Sequence, residues 1–208
     1  MGIVGEQTMP SYEEKRRRLM EVIQENAIIF QDVQLFSNIK SQYYYDIKRI
    51  SLQKEGAHLL AELLLTEIYK YGPKSVGGME MGAVALVTAV VFKSTMDGKY
   101  SKGLNGFFIR KEAKSYGLQK RIEGNMIPPI VIVDDVITSG KSVMNSIEAV
   151  NNEGITPKGV VCVIDREEAA GRSNLLKQNN IKYSSLFKHS EFKSFIEQKL
   201  EEKRRSIK

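Results

Sequence analysis

The fold of this chain is decided by the stretch Ile130-Val131-Ile132-Val133-Asp134-Asp135-Val136-Ile137-Thr138-Ser139-Gly140-Lys141-Ser142. It begins with four β-favouring apolar residues, which is typical of a strand that is buried on both faces. Two carboxylates follow, and then a turn of small residues. Because successive side chains of a strand point to opposite faces, we expect Asp134 and Asp135 to do different jobs. The pattern predicts a parallel strand with a ligand site at its carboxyl end.

The turn after the two acids is suited to binding an anion. Residues 138–142 offer backbone N–H groups, hydroxyls and one ammonium at the start of a predicted helix. Carboxylates beside an anion site fit a phosphorylated sugar, whose phosphate takes the turn and whose hydroxyls donate to the acids. A capped turn with solvated acids is the alternative for the acids alone, but the whole string favours ligand binding.

Two commoner phosphate motifs are excluded by their spacing. A P-loop ending at Gly140-Lys141-Ser142 needs glycine at position 135, where this chain has Asp135. The glycines of residues 77–82 follow a predicted strand, but they lack the G-x-G-x-x-G spacing of a dinucleotide site.

Residues 130–142 resemble the signature of type I phosphoribosyltransferases for 5-phosphoribosyl 1-diphosphate (PRPP). Residues 107–117, with Arg110, Lys111 and Lys114, resemble the R-K-E-x-K segment of orotate phosphoribosyltransferases. Residues 41–46, 77–82 and 165–168 are similar to the same family, in the family's order. The PRPP signature alone indicates the superfamily, whereas the R-K-E-x-K segment combined with the Asp-Arg-Glu segment at 165–167 is much more specific.

The chain alternates predicted strands and helices, which favours an α/β fold with a mostly parallel sheet. We predict a five-stranded core sheet flanked by helices, as in the type I phosphoribosyltransferase fold that the resemblance implies. The strands are expected at 74–78, 105–110, 130–135, 159–164 and 182–187, and a short strand is possible at 43–47. The helices are expected at 11–30, 54–71, 82–93, 142–152, 168–178 and 190–205.

The 208 residues predict one domain. We expect a small N-terminal hood with its helix over about residues 1–50, the α/β core over about 54–188, and a C-terminal helix over about 190–208. Two irregular stretches interrupt the pattern. Residues 95–105 are expected to form a surface insertion. Residues 111–129 carry Lys111, Lys114, Lys120 and Arg121, and form an apparently structureless connection. With the family resemblance, that connection is interpreted as a lid over diphosphate.

Composition limits the possible partners. The formal charge is +6, and the basic residues lie at the two ends and in the 110–121 segment, which fits solvated termini and a polyanionic substrate. There is no nucleic-acid motif, no signal-peptide core and no apolar run long enough for a membrane, so we expect neither partner. The single cysteine, Cys162, lies in an apolar run and is expected in the core. These points favour a cytoplasmic protein.

The resemblance implies a role for individual residues. Asp134 and Asp135 would hold the ribose hydroxyls, and Lys114 would act on the departing diphosphate, so these three are the predicted catalytic residues. Orotate would lie against Tyr44, Tyr45, Thr138 and Arg166, with Arg166 facing its carboxylate. Magnesium would bridge diphosphate oxygens without a direct protein ligand, and lid residues would reach the neighbouring subunit of a homodimer. The predicted PRPP-binding set is Arg110, Lys111, Lys114, Tyr116, Asp134, Asp135, Val136, Ile137, Thr138, Ser139, Gly140, Lys141 and Ser142.

The chain departs from many members of this family at three positions. Phe36 and Met81 stand where many or some members have lysine, and Tyr116 stands where many have histidine. Lys40 and Lys120 are the candidates to replace the missing cations. His58 and His189 lie in or near helices, and we expect both to be structural.

Three functions compete at this stage. The first is an orotate phosphoribosyltransferase. The second is a related transferase for another base, although a neutral purine or uracil needs no carboxylate partner such as Arg166. The third is a regulator that senses PRPP and binds nucleic acid through its basic face. The missing lysines fit the regulator, but the retained Arg110, Lys111 and Lys114 favour an enzyme.

Overall fold

The computed structural model describes residues 10–34, 40–97, 103–112, 121–168 and 181–206. Its architecture is α/β with a mostly parallel sheet, which confirms the predicted fold class. The division into hood, core and C-terminal helix stays a prediction. In chain order the elements are α1 (Tyr12–Asn26), β1 (Ile28–Ile29), β2 (Val33–Gln34), β3 (Lys40–Ser41), β4 (Tyr44–Tyr45), α2 (Lys48–Ser51), α3 (Lys54–Tyr69), β5 (Ser75–Met79), α4 (Gly82–Met96), β6 (Asn105–Ile109), β7 (Ile122–Gly124), β8 (Ile130–Ile137), α5 (Lys141–Asn151), β9 (Gly159–Asp165), β10 (Lys182–Lys188), a 3-10 turn (His189–Glu191) and α6 (Lys193–Ser206).

The main sheet has the strand order β10-β9-β8-β5-β6-β7. All five predicted core strands are present, and they are parallel to one another. The predicted count of five was wrong, because β7 adds a sixth, antiparallel strand at the β6 edge. This strand lies within the stretch 111–129 that we expected to be structureless. The strand β7 forms because it pairs with β6. Its three residues include one isoleucine and are too few to show a strand periodicity in the sequence. Residues 113–120 lie outside the described part of the chain.

The alternation along β8 divides the core into two layers. Val131 and Val133 pack with α1, α3 and α4 on one face of the sheet. Ile130 and Ile132 pack with α5 on the other face, and the predicted core residue Cys162 is buried there as well. Continuing the alternation puts Asp134 on the α5 side and Asp135 on the α4 side.

Several element boundaries differ from the prediction. Helix α1 begins at a capping box between Ser11 and Glu14, but it ends at Asn26, because Ile28 and Ile29 pair with β4 instead. Strand β8 continues to Ile137, so both acids belong to the strand and the turn begins only at position 138. A 3-10 turn replaces the start of the last predicted helix. The predicted helix at 168–178 falls almost wholly outside the described residues.

Two predicted helices show how burial follows periodicity. On α3, Leu60, Leu64 and Ile68 share one face at helical spacing, and all three are fully buried. The predicted helix at 82–93 is present as α4, but it is buried on one side only. One side of α4 packs on the sheet, whereas Phe92 is 65% exposed on the other side. None of the helices in the described ranges combines the length and apolar character needed to cross a bilayer.

Strands β5 and β8 leave no room for a side chain at Gly78. A Cβ atom at this position would lie 2.0 Å from the carbonyl oxygen of Val133 and 2.6 Å from the Cβ atom of Ala83. Neither distance is possible between real atoms, so the strands and the start of α4 meet here without room for a side chain.

Candidate active site

An open cavity of about 660 Å³ lies at the carboxyl ends of β5 and β8. It brings together Lys111 and all nine residues from Asp134 to Ser142, which are the predicted PRPP residues of the turn and strand. Lys48, Glu80 and Asn145 also line it, and sequence reasoning did not find them. This is where ligands bind in open parallel sheets, because the diverging connections leave a crevice there.

The turn after β8 forms the anion-binding wall of the cavity. Gly140 precedes the first residue of α5 and has a φ of +76°, a conformation that residues with a side chain rarely adopt. The first N–H groups of a helix have no acceptor within the helix, and they carry the positive end of its dipole. The side chains of Ser139, Lys141 and Ser142 line the same wall. The wall is therefore suited to a phosphate group.

The two acids at the end of β8 differ in burial. Asp134 is only 6% exposed, and burial, reinforced by the charge of Asp135, raises its pKa well above the usual range. Its Oδ1 accepts a hydrogen bond of 3.0 Å from the Asp135 N–H group. Asp135 is half-buried and faces the start of α4, where a Cβ on Gly82 would lie 2.6 Å from its carboxylate. The carboxyl group of Asp134 is thus favoured in its neutral form beside a more open Asp135.

The opposite rim is formed by the connection after β5 and by α2. Glu80 accepts a hydrogen bond of 3.1 Å at Oε1 from the Lys111 N–H group, which ties the end of β6 to the cavity. Met81 follows and exposes most of its side chain at the rim. Arg110, in contrast, is not among the residues that line the cavity. Its guanidinium lies 3.9 Å from Glu123 on β7.

Arg166 lies in an aromatic cluster next to the cavity rather than in its lining. Its backbone N–H donates to the carbonyl of Ile137, which is a cavity residue, over 2.9 Å. Its side chain is 6% exposed, and its guanidinium carbon lies 5.2 Å from the ring centre of Tyr43 and 5.7 Å from that of Tyr45. Its Nε lies 2.7 Å from Oε1 of Glu168. The guanidinium is therefore held between aromatic faces and one carboxylate.

His189 completes this aromatic cluster. Its Nδ1 lies 2.8 Å from the Tyr45 hydroxyl, and its ring stacks on Tyr43 at a centroid distance of 5.8 Å. Burial, together with the charge of Arg166, lowers the pKa of His189. Burial also raises the pKa of both tyrosines. The cluster is therefore uncharged at neutral pH apart from Arg166 and its acidic neighbours.

The structure brings together only some of the predicted orotate residues. Tyr45 and Arg166 are in contact, and Thr138 lines the adjacent cavity. Tyr44 lies on the other side of its strand, near Lys48. Tyr43 lies beside Arg166, where we expected Tyr44. Side chains two residues apart on a strand share a face, so this period would have paired Tyr43, and not Tyr44, with Tyr45. Lys114 and Tyr116 lie outside the described residues, so their predicted roles stay predictions.

Comparison with known proteins connects this geometry to an enzyme family. Over 182 residues the chain is 34% identical to orotate phosphoribosyltransferase of Aquifex aeolicus, which covers 85% of this chain and 97% of that protein. It is 36% identical to the enzyme of the same name from Bradyrhizobium diazoefficiens, over 85% and 95% of the two chains. The chain belongs to the orotate phosphoribosyltransferase family. No family model matches it.

Solved structures of orotate phosphoribosyltransferases share the fold. The Mycobacterium tuberculosis enzyme in complex with Fe(III) dicitrate superposes with a TM-score of 0.71 at 26% identity, over 85% of this chain and 97% of that one. The same enzyme in complex with PRPP gives a TM-score of 0.67 at 25% identity, with the same coverage. A phosphoribosyltransferase from Corynebacterium diphtheriae gives 0.71 at 27% identity, over 84% and 95% of the chains.

The raised pKa of Asp134 predicts a trade-off between stability and activity. Because the folded state holds this proton more tightly than the unfolded state, the aspartate weakens the fold as pH rises above about 4. In Asp134→Asn the amide oxygen keeps the bond to Asp135 N–H without that penalty. We expect the variant to unfold at higher urea concentration than wild type at pH 7, with the difference vanishing near pH 4.

The same variant should lose activity. The amide replaces one acceptor oxygen with a donor, and losing a hydrogen bond between uncharged groups costs about 0.5–1.5 kcal/mol, so kcat/KM should fall about two- to tenfold. Glu148→Gln, on the exposed side of α5, is the control and should keep the wild-type pH profile of stability. A variant that is no more stable than wild type at pH 7 would contradict the burial argument.

Proposed function

We propose that this chain transfers the 5-phosphoribosyl group from PRPP to orotate, giving orotidine 5'-phosphate and diphosphate in de novo pyrimidine biosynthesis. The observation that carries the proposal is the buried acid pair beside the helix N-terminal wall, at one sheet edge in a member of this family. A phosphate and a polyhydroxylated sugar are the ligand groups that fit this combination.

The chemistry follows from the charges that the reaction creates. A ring nitrogen of orotate attacks the anomeric carbon, and the carbon–oxygen bond to diphosphate breaks with its electrons on the leaving group. The wall at residues 138–142 holds the 5-phosphate, Asp134 and Asp135 hold the ribose hydroxyls, and Asp135 stabilises the positive sugar. Lys111 faces the departing diphosphate, and Lys114 is proposed to join it. Catalysis therefore consists mainly of positioning and of electrostatic stabilisation.

The proposed partner of the orotate carboxylate is Arg166. A guanidinium held between Tyr43 and Tyr45 keeps its planar donors in a fixed orientation, as bidentate recognition of a carboxylate requires. The hydrogen bond between Arg166 and Ile137 joins this cluster to the PRPP wall. A base bound between them would lie next to the sugar.

Magnesium is part of the proposal. Within the described residues there is no group of three or more His, Cys, Asp or Glu side chains placed to hold a metal ion. Glu80, Asp134 and Asp135 nevertheless supply oxygen donors to the cavity, which is the chemistry that hydrated magnesium accepts. Bound magnesium would neutralise the diphosphate, with most of its ligands taken from substrate oxygens and water. A cytoplasmic location also stays a prediction.

A homodimer is supported by the exposed side of α4. Met81, Phe92 and Met96 are large apolar residues about two-thirds exposed, and their spacing puts them on one side of the helix. The stripe begins at the cavity rim with Met81. A second copy of the chain on this stripe would lie at the rim of the first cavity, and we propose that its Lys114 and Tyr116 act there.

Two other functions are less well supported. A transferase for a neutral base would leave the buried charge of Arg166 without a use in the ligand. A PRPP sensor without chemistry would need no ordered aromatic cluster beside the sugar site. Either function would be recognised in an assay that compares orotate with other bases.

That assay follows the ultraviolet absorbance of orotate after mixing the protein with PRPP and magnesium. We expect consumption of orotate that stops when EDTA removes the metal, and no reaction with uracil or hypoxanthine. Consumption of another base would replace the proposed substrate. Binding of PRPP without turnover of any base would establish a sensor.

Arg166→Ala should separate orotate recognition from PRPP binding. Loss of a charge-assisted pair of hydrogen bonds is expected to raise KM for orotate by about a hundredfold. PRPP affinity, measured by calorimetry, should stay within about twofold of wild type. Arg166→Lys keeps the charge but not the fork, and should lie between the two. Unchanged orotate kinetics in Arg166→Ala, with the fold intact by circular dichroism, would exclude this role.

Charging the α4 stripe should dissociate the dimer. We expect Phe92→Glu combined with Met96→Glu to elute as a monomer of 23.5 kDa in light scattering at micromolar concentration, and to lose activity. Leu52→Glu alters an equally exposed apolar residue outside the stripe and should remain dimeric. A dimer that survives the double substitution would place the interface elsewhere.

A further inference from the structure

Lys48 lines the cavity but has no role in the proposed reaction. It is the first residue of the short helix α2. The fully buried side chains of Ile47 and Ile50 anchor this helix in the core. Its own side chain is half-exposed and lines the cavity. Its Nζ lies 3.0 Å from Oδ1 of Asp46. The backbone is therefore rigid, while the ammonium can move towards the open space.

The acids near Lys48 show at which end of the cavity its ammonium group lies. Burial lowers the pKa of its ammonium, but the contact with Asp46 and the charge of Asp135 outweigh that effect, and the pKa is raised. Asp135 faces Gly82 at the start of α4. Lys48 therefore lies at the α4 end of the cavity, opposite the phosphate wall at the start of α5.

The charges along the cavity are arranged for a ligand with two anionic ends. Among the described lining residues, three acids (Glu80, Asp134 and Asp135) face three lysines. Lys141 belongs to the phosphate wall, and Lys111 to the end of β6. Without Lys48, Asp135 and Glu80 at the α4 end would face an incoming diphosphate with Lys111 as the one described cation nearby. A diphosphate at that end needs further positive charge.

We propose that Lys48 is a binding residue for the diphosphate of PRPP, moving from Asp46 to the substrate when PRPP enters. This inference rests on the proposed function, since it assigns one end of the same substrate. Asp46 is then a positioning residue, which keeps the ammonium near the rim in the free protein. The geometry makes Lys48 important for PRPP and not for the base, because the aromatic cluster around Arg166 lies on the other side of β4.

The test compares Lys48→Met with Arg49→Met. Methionine keeps the aliphatic stem and removes only the charge, and Arg49 is an exposed cation of the same helix outside the cavity. PRPP binding is measured by calorimetry with magnesium and without orotate. We expect Lys48→Met to weaken binding about ten- to a hundredfold, as loss of a charge-assisted hydrogen bond does, and Arg49→Met to bind as wild type does.

A second substitution tests the location of the charge. Lys48→Arg keeps a positive charge at the same end of the cavity, so this variant should keep most of the wild-type PRPP affinity. KM for orotate at saturating PRPP should change by less than about twofold in all variants. Equal PRPP affinity in Lys48→Met and wild type, or an equal loss in Arg49→Met, would overturn the proposal. A wild-type protein that binds PRPP but does not consume orotate would instead refute the proposed function, and leave Lys48 testable.

Discussion

The site depends on two carboxyl groups held side by side at the end of a buried strand. Water cannot screen Asp134, and Asp135 is its immediate neighbour, so the pair is tolerated only because one carboxyl group holds its proton and backbone N–H groups serve both. The surroundings follow from this pair. Gly82 leaves space for Asp135, and the turn after β8 supplies the positive wall that the acids lack. An anionic substrate end and two acids are thus made compatible.

The second recognition region is connected to the first through the backbone. Strands β8 and β9 end next to each other, and the hydrogen bond from Arg166 to Ile137 continues their ladder beyond the last pair. The sugar region and the aromatic cluster therefore belong to one sheet edge, although their side chains come from five separate elements. Glu167 has a left-handed φ of 56° at this edge, which turns the chain so that Glu168 returns to Arg166.

How much the sequence could predict depended on the range of each interaction. The buried strand β8, the turn at Gly140 and the parallel core are written in local periodicity and residue type, and they were predicted. β7 exists because β6 offers it an edge, and Lys48 reaches the cavity because α2 packs against α3 and α4. Such long-range contacts leave no local pattern. Tyr43 is an intermediate case: the alternation was visible, but the choice between the two faces of β4 required its partner, His189.

The close contact at Gly78 has a mechanical consequence. With the carbonyl of Val133 against the α-carbon, β5 and β8 cannot slide or separate without losing their packing, so the two walls of the cavity behave as one rigid body. A cavity with such walls cannot tighten around a substrate by moving its floor. Adjustment to the substrate must therefore come from parts of the rim outside this pair of strands. Long, flexible side chains of the rim can move at the lowest cost in free energy.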